Sequence, residues 1–358
     1  MQTAVELLRR QPPGAERAAA ELPLLLGLAV SLSASRGYSA PEVGRVLAEA
    51  RAICDAMGNV PELFAVLRNA CSFYIVAVEM APAWETARLC LEMASKTGLP
   101  EHRIESQYAQ GYLLYMRGDL PEARKYLENA GQLYRQHDGA HLVFPSPQDP
   151  LVGSLCALMP VLNALGDEAG ADRVERELEA HVQRLARAYD RAYSLCFRAL
   201  LASERRDYPR LRALADEALT ICTEQSYPLY EAIASFYKGV GIGHLEDADA
   251  GLGMAMSAFD ALDRLGCKLA RPQRLADIGR VRMAMGDMHD ALSVIDVAIA
   301  ESISSGETFP LLMLRQTRSE ILARSQRLTP AGSETARAAA VESADGHGAG
   351  GFPGRPSN

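Results

Sequence analysis

The chain has 358 residues, a formal charge of 37 − 45 = −8 and only 6% aromatic residues. Aliphatic side chains and alanine dominate, which suits many closely packed helices better than strands. The net acidic balance and the lack of a long basic run exclude nucleic-acid binding through a phosphate-neutralising face.

In chain order, residues 1–20 form a lead-in, a short helix that stops at Pro12-Pro13-Gly14 and a charged approach. Residues 21–35 give the first long helix. Its apolar run, residues 22–34, is 13 residues long and contains Pro23, Gly27 and two serines, whereas a membrane-spanning helix needs about 20 residues. Glu6, Glu16 and Glu21 precede that run, against a secretory signal, so the chain is expected in the cytoplasm and off the membrane. Residues 36–41 form a turn, with Ser39 the expected N-cap and Pro41 in the first turn of the next helix. That helix carries the 3.6-period stripe Val43, Leu47, Ala50, Cys54 and Met57 and stops at Gly58-Asn59. Pro61 opens a second pair, in which Leu63, Val66, Leu67, Ala70 and Tyr74 share a face. Met80-Ala81-Pro82 ends it, and Trp84 starts the following helix.

In the third pair, Gly111, Gly118-Asp119, Ala123, Leu127 and Ala130 place small residues where the two helices of a hairpin touch. A side chain beyond alanine there pushes the helices apart. Asp119 is expected to cap the second helix, with Pro121 tolerated in its first turn. Asp119 and Asp167 are 48 apart, eight more than the later spacing, and the excess falls in residues 137–147. Insertions of this kind in repeat arrays map to loops on one face, often the binding face. Pro160, following the insertion, is expected to kink its helix.

From residue 153 to 305 the chain repeats every 40 residues. Asp167, Asp207, Asp247 and Asp287 keep that interval. Ala199, Gly239 and Gly279 stand twelve residues before Leu211, Gly251 and Ala291, and Ala218, Ala258 and Ala298 seven after them. Val174, Leu214, Met254 and Val294 hold one apolar slot; Leu155, Leu195 and Leu275 hold another, with Ser235 as the exception. A fixed period of this length predicts a solenoid of helical hairpins that bury their apolar faces against their neighbours. Residues 309–325 predict one further, capping helix. From 329 to 358 the chain is rich in Gly, Ala, Ser and Pro and is expected to be disordered. The predicted fold is therefore all-α, a right-handed superhelix of about seven hairpins over residues 21–328.

The small-residue pattern matches the tetratricopeptide (TPR) repeat. The order of landmarks resembles the TPR region of bacterial adenylate/guanylate cyclase–ATPase–TPR proteins, related to the arms of MalT-like regulators. The likeness rests on residues 37–43, 62–67, Asp149-Pro150-Leu151-Val152 before Ala164-Leu165-Gly166, Arg205-Arg206-Asp207, Ala270-Arg271-Pro272 and residues 306–309, and covers about residues 5–325. Two positions depart from that pattern: Asn163 stands among residues usually aromatic, and Ser319 near a usual glycine. No cyclase segment and no GxxxxGK[ST] loop is present, so neither nucleotide cyclisation nor ATP hydrolysis carries over. The resemblance implies a sensing or scaffolding arm.

Tyr108, Tyr112 and Tyr115 recur at i, i+4 and i+7. With Gly111 at the hairpin contact, Tyr108 and Tyr112 face the concave groove as a wet binding surface, or else pack between repeats with hydroxyls at the rim. Tyr134, His141 and Phe144 are candidates for a loop that folds over the groove. His137 and His141 have metal-ligand spacing on a helix, but Gly139, Pro145 and Pro147 make the segment a loop, and no metal site is assigned. Gly239-Val240-Gly241-Ile242-Gly243 is not a phosphate loop but a close-packed helix. The stretch 172–187 reads as a solvated face. Seven cysteines stand singly, without a CxxC pair, as reduced core thiols. No nucleophile–base constellation and no cofactor motif emerges. The expected function is a non-catalytic module that binds a protein or peptide in its concave groove. The alternative is a ligand-sensing arm that controls a partner ATPase, nucleotide cyclase or transcription factor.

Overall fold

A computed structural model of the chain describes residues 1–58 and 60–328, so the tail expected to be disordered lies outside the described residues. Within them stand sixteen α-helices and no strand: α1 (Gln2–Leu8), α2 (Ala15–Arg36), α3 (Pro41–Met57), α4 (Leu63–Ala77), α5 (Met80–Thr97), α6 (Pro100–Arg117), α7 (Leu120–Gln136), α8 (Pro150–Ala164), α9 (Glu168–Leu185), α10 (Ala188–Glu204), α11 (Tyr208–Gln225), α12 (Pro228–Leu245), α13 (Ala248–Arg264), α14 (Arg271–Met285), α15 (Met288–Ser305) and α16 (Leu311–Leu328). From α2 to α15 they pair as seven hairpins; α1 packs on α2, and α16 on α14 and α15.

The 40-residue aspartates are helix caps. The carboxylates of Asp167, Asp207, Asp247 and Asp287 accept hydrogen bonds from the backbone N–H groups of Gly170 (2.9 Å), Arg210 (3.2 Å), Ala250 (3.0 Å) and Asp290 (3.3 Å). Each satisfies one of the donors a helix start leaves open. Asp119 differs from expectation. It occupies the N-cap position of α7 but makes no capping bond, because the Arg117 guanidinium two residues away takes its carboxylate.

The small residues lie where hairpin arms cross. A Cβ on Gly239 would sit 2.6 Å from the Ala255 nitrogen, and one on Gly251 would sit 2.1 Å from the Gly243 nitrogen. On Gly111 it would meet Leu127 at 2.8 Å and on Gly279 Ile295 at 2.8 Å, while Ala199 is buried. Residues 239–243 lie inside α12, so their glycines serve helix-to-helix contact.

Several local expectations shift. The first long helix begins at Ala15, not residue 21, because the alanine-rich approach is itself a strong helix former. By length and composition α2 is long and apolar enough to cross a membrane; Leu22, Leu25 and Ala29 are buried where it packs on α3. The N-cap of α3 is Ala40, and Ser39 instead donates to the Leu265 carbonyl (3.2 Å). The break after α4 falls at Val78, in the left-handed region, and α5 starts at Met80 with Pro82 in its first turn.

The superhelix closes on itself. The N–H groups of Lys268 and Leu269 donate to the Val76 carbonyl (3.0 and 3.1 Å), and the Phe309 N–H donates to the Met116 carbonyl (3.1 Å). With the Ser39–Leu265 bond, these join the turn after α2, the end of α4 and the end of α6 to the turns flanking α14 and α15. The concave face thereby becomes an internal cavity.

Candidate functional site

The first helices of the hairpins turn one face inward, and α4, α6, α10, α12 and α14 surround a cavity of about 120 Å3. Its chemistry divides by wall. On α6, Tyr108, Tyr112 and Tyr115 all line it and meet edge to face, with centroids 6.1 and 5.8 Å apart; Phe309 closes on Tyr115 at 4.4 Å. Tyr193, Tyr230 and Tyr237 continue the aromatic surface on α10 and α12. Burial pushes the Tyr108, Tyr112, Tyr115 and Tyr237 phenols up, so they remain protonated donors.

Their hydroxyls are unequal. Tyr108 bonds Tyr193 across two hairpins (3.2 Å), and Tyr189 donates to Tyr38 (3.2 Å), which in turn donates to Gln148. The hydroxyls of Tyr112, Tyr115 and Tyr237 bond to no described residue. These three hydroxyls open onto the cavity.

Two charged arrangements border the cavity. On the α4–α6 side, Arg68 pairs with Glu105 at 2.6 Å, both fully buried, and stacks over the Tyr108 ring at 5.1 Å. Burial works against the Arg68 charge, but the Glu105 carboxylate outweighs it and raises Arg68 above its ordinary value. Ser72 and Ser146 complete the pair's hydrogen bonding (2.6 and 2.7 Å). On the α14 side, Gln273 and Arg274 line the cavity, each 4% exposed. Arg274 has no carboxylate in ion-pair range among the described residues. Its one hydrogen bond goes from Nη2 to the Cys267 carbonyl (3.4 Å), and its Nε and the Gln273 Oε1 have no partner. Glu307, from the turn after α15, accepts the Ala270 N–H (2.8 Å); burial pushes its carboxyl up to about 7.

The insertion after α7 holds a 3-10 turn at Gly139–His141 and then runs inward. Asn69 donates to the Pro145 carbonyl (2.7 Å), and Arg187 to the Pro147 carbonyl. Tyr134, in the last turn of α7, and His141 and Phe144, in the insertion, do not line the cavity. Tyr134 is buried, stacks on Phe144 at 6.0 Å and donates to Asp149 (2.7 Å), whereas His141 is exposed beside Asp138. The part of the insertion that reaches the cavity is Gln148.

Sequence reasoning missed Arg68, Tyr193, Tyr237, Gln273, Arg274 and Glu307. For two of them a signal existed: Tyr193 and Gln273, like Ile233, precede the crossing residue of their repeat by six, and all three line the cavity.

No family model matches the chain, and no curated protein matches it. Two solved structures are similar in fold. One is a Rap protein complexed with competence and sporulation factor, at 13% identity and a TM-score of 0.59, covering 89% of this chain and 81% of that one. The other is NprR in complex with its cognate peptide NprX, at 12% identity and a TM-score of 0.54, covering 92% and 94%. With seven stacked helical hairpins and these neighbours, the chain has the fold of a TPR-like right-handed α-α superhelix.

Proposed function

We propose that this chain is a non-catalytic TPR-type module that binds a peptide in its central cavity, with Tyr108, Tyr112 and Tyr115 in contact. The observation that carries this function is the cluster of buried tyrosines around the cavity, of which Tyr112, Tyr115 and Tyr237 have open hydroxyls, in a fold whose solved neighbours are complexed with competence and sporulation factor and with a cognate peptide. The closed cavity is smaller than the roughly 300–1,000 Å3 usual for ligand pockets. In this form it admits a side chain or two, so a peptide enters when the contacts at Val76 and Met116 part. Residues 21–328 act as the binding unit. Tyr134, through Phe144 and Asp149, holds the insertion that carries Gln148 to the site, and His141 lies on its exposed outer turn.

The small closed volume favours one second function, a ligand-sensing arm that takes a small molecule and controls a partner ATPase, nucleotide cyclase or transcription factor. The likeness of the landmark order to cyclase–ATPase–TPR proteins supports it, and the seven free, buried cysteines suit a reducing cytoplasm. A thermal-shift screen of short peptides and of metabolites separates the two, since a ligand that binds only the native state raises apparent stability. Peptide hits that Tyr112→Ala abolishes support the first; hits among metabolites alone overturn it.

A further inference from the structure

We propose that Arg274, with Gln273 and the free hydroxyls of Tyr112 and Tyr237, forms a subsite for a carboxylate of the bound peptide. The proposal rests on the peptide-binding function above and names the group that the cavity's polar wall recognises. An arginine this deeply buried ordinarily has a carboxylate partner, because an unpaired buried charge is costly. Arg68, on the opposite wall, has one in Glu105. Among the described residues Arg274 bonds only to Cys267, and its Nε has no acceptor. Glu307 is close enough to act on Arg274 electrostatically but out of ion-pair range, and burial raises its carboxyl to about 7, so it carries only part of a charge at neutrality. The cavity thus keeps one uncompensated guanidinium, a planar fork matched to a carboxylate.

Neighbouring groups complete the subsite. The unpaired oxygen of the Gln273 amide suits a peptide N–H beside the carboxylate, and Tyr237 of α12 lies within electrostatic reach of Arg274. A single free cation beside Glu307 suits a monoanion; a phosphate dianion would leave excess negative charge enclosed. Phe309, Phe197 and Leu269 border the same space, so an apolar side chain adjoining the carboxylate fits beside it.

The test uses the full chain and two libraries of short random peptides, one with free C-terminal carboxylates and one amidated. Each peptide retained is then remade with its terminus amidated, and separately with each Asp or Glu changed to Asn or Gln. We expect one of these neutralisations to weaken binding to the wild type by about tenfold to a hundredfold. Which one does so tells a terminal from a side-chain carboxylate. Against Arg274→Met the charged and neutral forms should bind alike. Arg274→Met should melt no lower than the wild type, since Arg274 holds no ion pair; if it fails to fold, Arg274→Lys should keep the preference for the charged form at reduced strength. Peptides that bind the wild type with no dependence on any carboxylate overturn the subsite and leave the peptide-binding function standing. If neither library yields a binder, that function fails and the subsite with it.

Discussion

The walls that α10 and α14 give to the cavity come from the same 40-residue template and carry opposite chemistry. Six residues before the crossing position, α10 has Tyr193, whereas α14 has Gln273, and both line the cavity. Both helices keep a small residue at the crossing, Ala199 and Gly279, because backbones must approach there. The repeat therefore fixes where an inward side chain stands and leaves its chemistry free. Tyr108 with Tyr193, Tyr189 with Tyr38, and Arg68 with Glu105 are satisfied within the protein, whereas Gln273, Arg274 and the Tyr112, Tyr115 and Tyr237 hydroxyls remain open.

Three tests sharpen that contrast, from the largest effect to the smallest. On the satisfied side, Glu105→Ala leaves Arg68 charged and unpaired in the core and strips Ser146 of its acceptor. Denaturant unfolding should show a loss of about 3–5 kcal/mol. A loss below about 1 kcal/mol would mean that the pair contributes little.

On the open side, Glu307→Gln should stabilise the protein. The Glu307 pKa rises from 4.5 to about 7 on folding, so the native state binds the extra proton between those values. Stability consequently falls as pH rises through that window. The variant should match the wild type near pH 4.5 and exceed it by about 3 kcal/mol above pH 7. Equal melting curves at both ends of the range would refute a protonated Glu307.

The phenols give the finest test. Tyr108→Phe breaks a buried bond to Tyr193 and should cost about 1 kcal/mol, while Tyr112→Phe breaks none and should change stability by less than about 0.5 kcal/mol. Paired chemical-denaturation measurements resolve the difference, and equal losses would show that Tyr112 has a partner in solution.

Features set by neighbours in sequence were legible. The recurring aspartates act on an N–H three residues ahead, and the glycines at arm crossings belong to a single hairpin, so spacing reveals both. Ser39 was misassigned because its partner, Leu265, lies 226 residues away. Arg68 and Glu105 sit on separate hairpins with no pattern linking them. The tyrosine triplet on α6 stood out by its helical spacing. The residues of α14 did not, because a glutamine and an arginine in a helix ordinarily mark its solvent side; only the closure of the array puts them inside. Tyr134, His141 and Phe144 are expected on a loop over the groove, yet none of them lines the cavity, because a loop's path depends on distant anchors such as Asn69 and Arg187.

The bonds from residues 265–269 back to Ser39 and Val76 also bear on how such a chain can evolve. An open-ended array tolerates duplication of a unit, since each new hairpin meets only its neighbours. Here an extra hairpin would carry the second end one step past the first, severing the seam and emptying the interior to solvent. Copy number in this molecule is thus locked by geometry, and change is confined to side chains that look inward.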